Sequence, residues 1–184
     1  MLSIILAILC VSYSSIIGIK RFTGTYQNSR KEPDLLLRPD NQEMPSIVVE
    51  SGWSESYPRL ILDMELWLNG SVDVNVVLVL KWSKLSNLRV SGFIEVWIRG
   101  KNGPIKKQAA VCISLLLLQP WRVIIIIQTI FPTDRQQTVT ITRGDVFRAH
   151  LTTGRNANDV LPLSLNSLRS LAREDLTLMG FAPA

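Results

Sequence analysis

Short apolar runs bounded by turn residues dominate the first half of the chain. Aliphatic and β-branched residues at 35–37 and 46–50 predict two buried strands, because such runs between Pro and Gly are typical of sheets. The polar stretch between them, residues 38–43, has the composition of a turn. The pattern therefore predicts an antiparallel hairpin.

Helical spacing replaces strand spacing after residue 54. Ser and Pro residues there are typical of a helix start, and Asn69-Gly70 of a helix end. The apolar positions of this predicted helix are Leu60, Met64, Trp67 and Leu68. Its opposite face carries Arg59, Asp63 and Glu65. Asp63 could reach a site at the strand ends, but we favour a solvated helix charge.

The remaining pattern predicts more strands than helices. Val74–Trp82 is almost continuously apolar, which favours a strand buried on both faces. Further predicted strands are 89–99, 123–131 and 138–142, and a turn leads into a short helix at 143–147. A polar linker, 152–159, precedes a terminal helix ended by Gly180, with an apolar face of Leu165, Leu168, Ala172, Leu176 and Met179.

Composition narrows the function classes. The 184 residues, 47% of them hydrophobic, are enough for one globular domain with a core. The net charge of +5 fits either a polyanionic partner or a basic but inert surface. Cys10 and Cys112 lie inside apolar runs and His150 is the single histidine, which argues against Cys/His zinc sites and Ser-His-Asp hydrolysis. The sequence contains no Gly-rich phosphate loop.

Residues 1–19 form an apolar run that Lys20-Arg21 closes. Its length is close to the roughly 20 residues of a membrane span. Two interpretations remain open, a hydrophobic helix packed on the domain and a membrane anchor. In the second case Lys20-Arg21 would place the bulk of the protein in the cytoplasm. The expected location is intracellular, in the cytoplasm or nucleus, with anchoring to a membrane as the alternative.

Two carboxylates mark the predicted hairpin. Asp34 stands at the head of the first strand and Glu50 at the tail of the second, so the hairpin brings them to one end of the sheet. A carboxylate at the end of a buried strand is costly unless it is paired. Mg²⁺ or Mn²⁺ is one suitable partner, since hard cations prefer oxygen ligands. Lys81, near the end of its strand, either reaches the sheet edge or points at the carboxylates.

These residues also carry a family resemblance. Lys31-Glu32-Pro33-Asp34, residues 45–56 and residues 63–68 resemble a large group of fungal proteins. Those proteins are in turn similar to the Uma2-type restriction-endonuclease-like proteins of the PD-(D/E)XK nuclease superfamily. The resemblance covers roughly residues 30–110 and 128–184. It implies an α/β fold with a central mixed sheet flanked by helices.

The resemblance also implies a chemistry. Asp34 and Glu50 match the acids that hold a divalent metal, which would activate water to cleave the phosphodiester bonds of nucleic acid, DNA in particular. The motif lysine would stand at position 52, which is Gly52, and the following helix offers Arg59 instead. Lys81 is the expected replacement, orienting the nucleophile or neutralising the transition state.

The expected organisation is an N-terminal apolar segment and linker (1–28), a nuclease-like core (29–150) with an apolar insertion at 110–127, and a linker with a C-terminal helix (151–184). The N-terminal segment and the insertion depart from the family pattern. They are either genuine variations or errors in the translated gene model, such as an unspliced intron. Two other functions stay open. One is a degenerate nuclease fold that binds nucleic acid or protein without cutting, and the other is a protein tethered to a membrane through residues 1–19.

Overall fold

The computed structural model describes residues 22–38, 43–100, 103–108, 128–131, 138–148, 151 and 153–184. The strands are β1 (Leu35–Leu37), β2 (Ile47–Gly52), β3 (Val76–Lys84), β4 (Arg89–Gly100), β5 (Gly103–Gln108), β6 (Gln128–Phe131), β7 (Thr138–Thr142), β8 (Val160–Ser164) and β9 (Ala182–Pro183). The helices are α1 (Tyr57–Gly70), α2 (Arg143–Phe147) and α3 (Leu165–Leu178). A single 3₁₀ turn, Gly24–Tyr26, precedes β1.

A mixed sheet forms the centre of the α/β fold. Its order is β1-β2-β3-β4-β5, and β4 also pairs with β6 and β9 along its length. Strands β1 and β2 form the predicted antiparallel hairpin, with Leu35 opposite Val49. Strand β3 runs parallel to β2, with Glu50 opposite Val79. Parallel neighbours need a crossover, and α1 supplies it.

Helix α1 confirms the predicted amphipathic helix. Its start contains a Pro in the first turn, where the missing N–H costs nothing, and it ends at Gly70. The predicted apolar positions are all buried, and none is more than 1% exposed: Leu60, Met64, Trp67 and Leu68. They pack on one face of the sheet, against Val48 of β2 and Val77 and Val79 of β3.

The first five residues of β3, 76–80, are all apolar because both faces of the strand are covered there. Val77 and Val79 face α1, while Val76 and Leu78 belong to a second core on the opposite face. That second core includes residues of β7, β8, α2 and α3. Each buried aliphatic side chain contributes about 1.5–3 kcal/mol relative to exposure, so a strand covered twice anchors the fold.

Two details of the C-terminal part differ from the sequence prediction. Strand β7 is expected to be the last strand, but β8 follows and pairs with it. Pro162 argues against a strand, yet it is tolerated because β8 pairs on one side only within a two-stranded sheet. The predicted face of the terminal helix is confirmed except at Met179, which lies past its last turn and is 47% exposed. Gly180 follows with a φ of +75°.

Several predictions fall outside the described residues: the apolar segment 1–19, the insertion 110–127 and the first half of the strand predicted at 123–131. Cys10, Cys112 and His150 also lie there. Within the described part of the chain, no helix has both the length and the apolar character needed to cross a membrane.

Candidate carboxylate site

The structure brings Asp34 and Glu50 to the same end and the same face of the sheet. Asp34 directly precedes Leu35, whose partner is Val49, so the two acids take the next position of the hairpin ladder. Side chains alternate along a strand, and Leu36 and Val48 face α1, so both acids are on the α1 side. The Ser51 backbone N–H donates to Asp34 Oδ2 at 2.6 Å, which fixes the exposed acid at the rim.

Glu50 is the buried member of the pair, at 3% exposure. The Trp67 indole Nε1–H donates to Glu50 Oε1 at 2.6 Å, and Lys31 Nζ lies 3.5 Å from Oε2. Burial raises the pKa of Glu50 to about 8, although Lys31 and the Trp67 hydrogen bond oppose the shift. The charges of Asp34 and Asp63 raise the pKa further, so the ionised form is poorly compensated.

Asp34 shows the same tendency in milder form. Desolvation raises the pKa of the Asp34 carboxyl above its ordinary value, and the nearby charge of Asp63 acts in the same direction. The Ser51 amide and the charge of Lys31 lower it again without cancelling the rise. The site therefore holds more acid than its own cation neutralises.

Lys31 is the amine that the structure places among these acids. Its Nζ donates to Asp63 Oδ2 at 2.6 Å and lies beside Glu50. Burial alone would lower the pKa of the Lys31 amine, but the bond to Asp63 and the charges of Glu50, Asp63 and Glu55 raise it above its ordinary value. The ammonium form is therefore secure at neutral pH.

Asp63 joins the site through Lys31, so the favoured interpretation of a solvated helix charge is wrong. Its side chain is 16% exposed and bonded to the amine. The sequence indicated that Asp63 could reach the strand ends, but nothing in it predicted a contact with Lys31. The contact spans 32 residues between a loop and a helix. The available signal was the position of Lys31, three residues before Asp34 on the same lead-in.

Gly52 stands where the motif of the resembled family has lysine. A Cβ atom at position 52 would lie 2.7 Å from Leu60 Cδ1, the end of a flexible side chain. Leu60 is fully buried in the α1 core, so it would have to shift to admit a side chain at position 52. The glycine therefore fits the close packing of α1 on β2.

Lys81, the expected replacement, pairs with Gly52 across β2 and β3 and so lies on the same face as Glu50. Its Nζ donates to the backbone carbonyls of Trp53 at 3.1 Å and Trp82 at 2.5 Å. Within the described part of the chain it forms no ion pair with either acid. The contact predicted for Lys81 is made by Lys31, and a catalytic role for Lys81 stays a prediction.

A second buried glutamate lies on the same face. Glu95 is opposite Val79 on β4, just as Glu50 is opposite Val79 on β2, and it has 0% exposure. Tyr57 Oη donates to its two carboxylate oxygens at 3.1 and 3.0 Å, and Trp97 Nε1–H donates at 3.0 Å. Burial and the charge of Glu95 raise the pKa of Tyr57, so its hydroxyl stays a donor. The sequence showed Glu95 only as one position of an alternating strand.

The donor chemistry suits a hard cation, within limits. No group of three or more His, Cys, Asp or Glu side chains placed to hold a metal occurs among the described residues. Mg²⁺ is commonly held by one or two carboxylates with water and substrate phosphate completing its shell. Asp34 and Glu50 can supply two. Burial, and to a smaller extent the charges of Asp34 and Asp63, raise the pKa of Glu50, and a bound dication would favour its ionised form.

An apolar cavity of about 380 Å³ lies on the opposite face of the sheet, between the hairpin and the β7–β8 sheet. Its lining includes Leu37, Ile47, Val146 and Leu163. Among the described residues that line it, Arg38 alone is charged. It is separate from the carboxylates and offers none of their chemistry.

Comparison with known proteins does not assign this chain to a family. No protein-family model, curated protein or solved structure matches this chain. The resemblance to PD-(D/E)XK nucleases therefore depends on the motif residues themselves.

Proposed function

We propose that this protein is a metal-dependent nuclease of the PD-(D/E)XK type that hydrolyses phosphodiester bonds of nucleic acid, with DNA as the expected substrate. The observation that carries the proposal is the meeting of Asp34 and Glu50, from neighbouring strands, beside the amine of Lys31. The mixed sheet with its α1 crossover supports a restriction-endonuclease-like core.

Each residue of the site has a part in this proposal. Asp34 and Glu50 would hold Mg²⁺ or Mn²⁺, which when bound supplies Lewis-acid polarisation of the phosphate and a water of lowered pKa. The Trp67 indole fixes the orientation of Glu50. Lys31, steadied by Asp63, would neutralise the charge that develops on the phosphate.

Glu50 must lose its proton to act as a ligand. Because burial raises the pKa of Glu50 to about 8, cation binding at neutral pH would release a proton. Affinity for Mg²⁺ should therefore increase with pH up to that value, and a buffer-dependent calorimetric heat would report the released proton.

The deciding experiment is cleavage of supercoiled plasmid DNA with Mg²⁺ or Mn²⁺, comparing wild type with Glu50→Ala. Glu32→Ala is the matched control, since Glu32 is an exposed acid only two residues from Asp34. Activity in wild type and in the control, lost in Glu50→Ala, supports the proposal. Equal cleavage by wild type and Glu50→Ala would refute it.

The second candidate is a nuclease-like fold that binds nucleic acid without cutting. The motif lysine position is occupied by Gly52, and Lys31 already pairs with two acids, which favours this alternative. Thermal unfolding with and without millimolar Mn²⁺ separates the two, because a ligand that binds the folded state raises its stability. A binding module would show DNA binding, an unchanged melting temperature and no cleavage.

A further inference from the structure

The tip of the β3–β4 hairpin has a symmetric sequence, Lys84-Leu85-Ser86-Asn87-Leu88-Arg89. A cation and a leucine stand on each side of two small polar residues. Both leucines face solvent, with Leu85 at 45% and Leu88 at 56% exposure. Two partly exposed leucines next to cations at one hairpin tip form a small apolar patch that a partner outside the domain could cover.

The backbone of the tip holds Leu88 in an unusual conformation. Asn87 and Leu88 both have a φ of +56°. Asn accepts this left-handed region, but a bulky residue such as Leu rarely does, and strained residues concentrate at functional sites. Turns of this kind ordinarily take Gly or Asn at such positions.

Hydrogen bonds from two directions fix the tip. The Leu85 N–H donates to the Arg89 carbonyl at 2.7 Å, which closes the turn. The Ala182 N–H donates to the Leu88 carbonyl at 3.0 Å, where β9 pairs with the start of β4. The leucines are therefore displayed on a supported turn, an arrangement suited to insertion with little ordering cost.

The two flanking cations, Lys84 and Arg89, are exposed. Lys84 Nζ lies 4.9 Å from the Phe181 ring centroid, and Arg89 Nε donates to the Pro183 carbonyl at 3.3 Å. In the described residues neither cation takes part in an ion pair. Their charge is available to an anionic partner.

The tip extends from the end of the sheet that carries the carboxylates. Strand β3 runs parallel to β2, and Leu85 lies six residues beyond Val79, the partner of Glu50. At about 3.3 Å per residue the separation along the strand is roughly 20 Å. A duplex rises 3.4 Å per base pair, so both features could engage one duplex about six base pairs apart.

We propose that this tip is a wedge that inserts Leu85 and Leu88 between base pairs of a nucleic-acid duplex, while Lys84 and Arg89 bind the flanking phosphates. Apolar wedges flanked by cations are the device by which many proteins unstack and bend DNA from the minor groove. Ser86 and Asn87 favour nucleic acid over a bilayer, because their polar side chains can bond phosphate and base edges but would oppose burial in lipid. The proposal rests on the proposed function, since it specifies how the protein would bind the nucleic acid that the carboxylate site cleaves.

The test measures binding of the full chain to a short DNA duplex in EDTA, where no cleavage occurs. The duplex carries 2-aminopurine, whose fluorescence rises when its base step unstacks. The double variant Leu85→Asn/Leu88→Asn should lose the fluorescence rise and bind about tenfold more weakly, the loss of roughly one contact of ordinary strength. Leu85→Met/Leu88→Met keeps an apolar wedge and should retain both signals.

Val72→Asn is the matched control, an apolar residue 75% exposed in the loop before the opposite end of β3, and it should bind as wild type does. Unchanged binding and fluorescence in the Asn double variant would overturn the wedge. So would loss of sedimentation with anionic phospholipid vesicles in that variant while DNA binding persists. Plasmid cleavage that is equal in wild type and Glu50→Ala, together with weakened DNA binding by the Asn double variant, would refute the nuclease and leave the wedge standing.

Discussion

Glu50 and Glu95 occupy mirror positions on the α1 face of the sheet, one on each side of Val79. They are equally hidden, at 3% and 0% exposure. Glu95 accepts hydrogen bonds from the neutral donors of Tyr57 and Trp97. Glu50 accepts one indole bond and otherwise shares its surroundings with ionisable groups.

The difference shows that burial alone does not make a site. The two glutamates have similar exposure, and among the described contacts Glu50 lies beside a second acid at the rim and an amine shared with a third. The acids around Glu50 outnumber the Lys31 amine, and that excess of negative charge is what a cation could compensate. Glu95 instead ties α1 to β4 through Tyr57.

Cleavage should separate the two glutamates most strongly. Glu50→Ala is expected to lower kcat/KM on plasmid DNA by about a thousandfold or more, since it removes a ligand whose effect is worth several kcal/mol. Glu95→Gln keeps an acceptor for Tyr57 and should lower it less than about fivefold at a temperature where the fold is intact. Comparable losses in both variants would mean that the two residues have the same role.

The pH dependence of stability should follow Glu50. An unfolded glutamate titrates near 4.5, whereas the pKa of folded Glu50 is raised to about 8, so between these values the folded protein keeps a proton that the unfolded chain has released. The free energy of unfolding should therefore fall as pH rises from about 4.5 to 8, by on the order of 3–5 kcal/mol. Urea unfolding of wild type against Glu50→Gln isolates this component, because Lys31, whose pKa Glu50 helps to raise, stays charged throughout this pH range.

In Glu50→Gln that part of the pH dependence should vanish, leaving the variant more stable than wild type above about pH 8. Such a gain would mark Glu50 as a residue kept at a cost to stability. The same slope in both proteins would show that Glu50 titrates normally.

Loss of Glu95 should act on stability at every pH. Glu95→Ala removes the acceptor of the Tyr57 hydroxyl and of the Trp97 indole, two partly buried donors. Each lost hydrogen bond costs about 0.5–1.5 kcal/mol, so a decrease of about 1–3 kcal/mol is expected. Urea unfolding should show this decrease, while Glu32→Ala, at an exposed position, should change stability by less than about 0.5 kcal/mol. A Glu95→Ala protein as stable as the control would show that these bonds contribute little.

Local pattern was enough to predict the scaffold of the site. The hairpin, helix α1 and the strands β3 and β4 follow from periodicity and turn residues, and the hairpin alone places Asp34 beside Glu50. Strand β8, the partner of β7, was not predicted because it contains Pro162, and proline argues against a strand. These are features that neighbours in sequence decide.

The polar contacts of the site could not be predicted in the same way. Lys31 meets Asp63 across 32 residues, and a single loop cation leaves no periodic trace of where its amine will lie. The sequence shows that Gly52 departs from the motif. It does not show that the Leu60 side chain packs against this position, because that contact depends on how α1 lies on the sheet. Tertiary packing therefore decided which lysine stands beside the acids.

The smallest change in cleavage is expected when one of the two lysines, Lys31 or Lys81, is replaced. Lys31→Gln should lower kcat/KM by about tenfold, since it removes the cation nearest to Glu50 while preserving a hydrogen-bond donor for Asp63. Lys81→Gln should lower it less than about threefold, because that amine binds the carbonyls of Trp53 and Trp82. Melting curves of both variants would confirm that each is folded at the assay temperature. A larger loss in Lys81→Gln would return the role of the motif lysine to β3 and make the contact of Lys31 with Glu50 a structural ion pair, the counterpart of the bond between Tyr57 and Glu95.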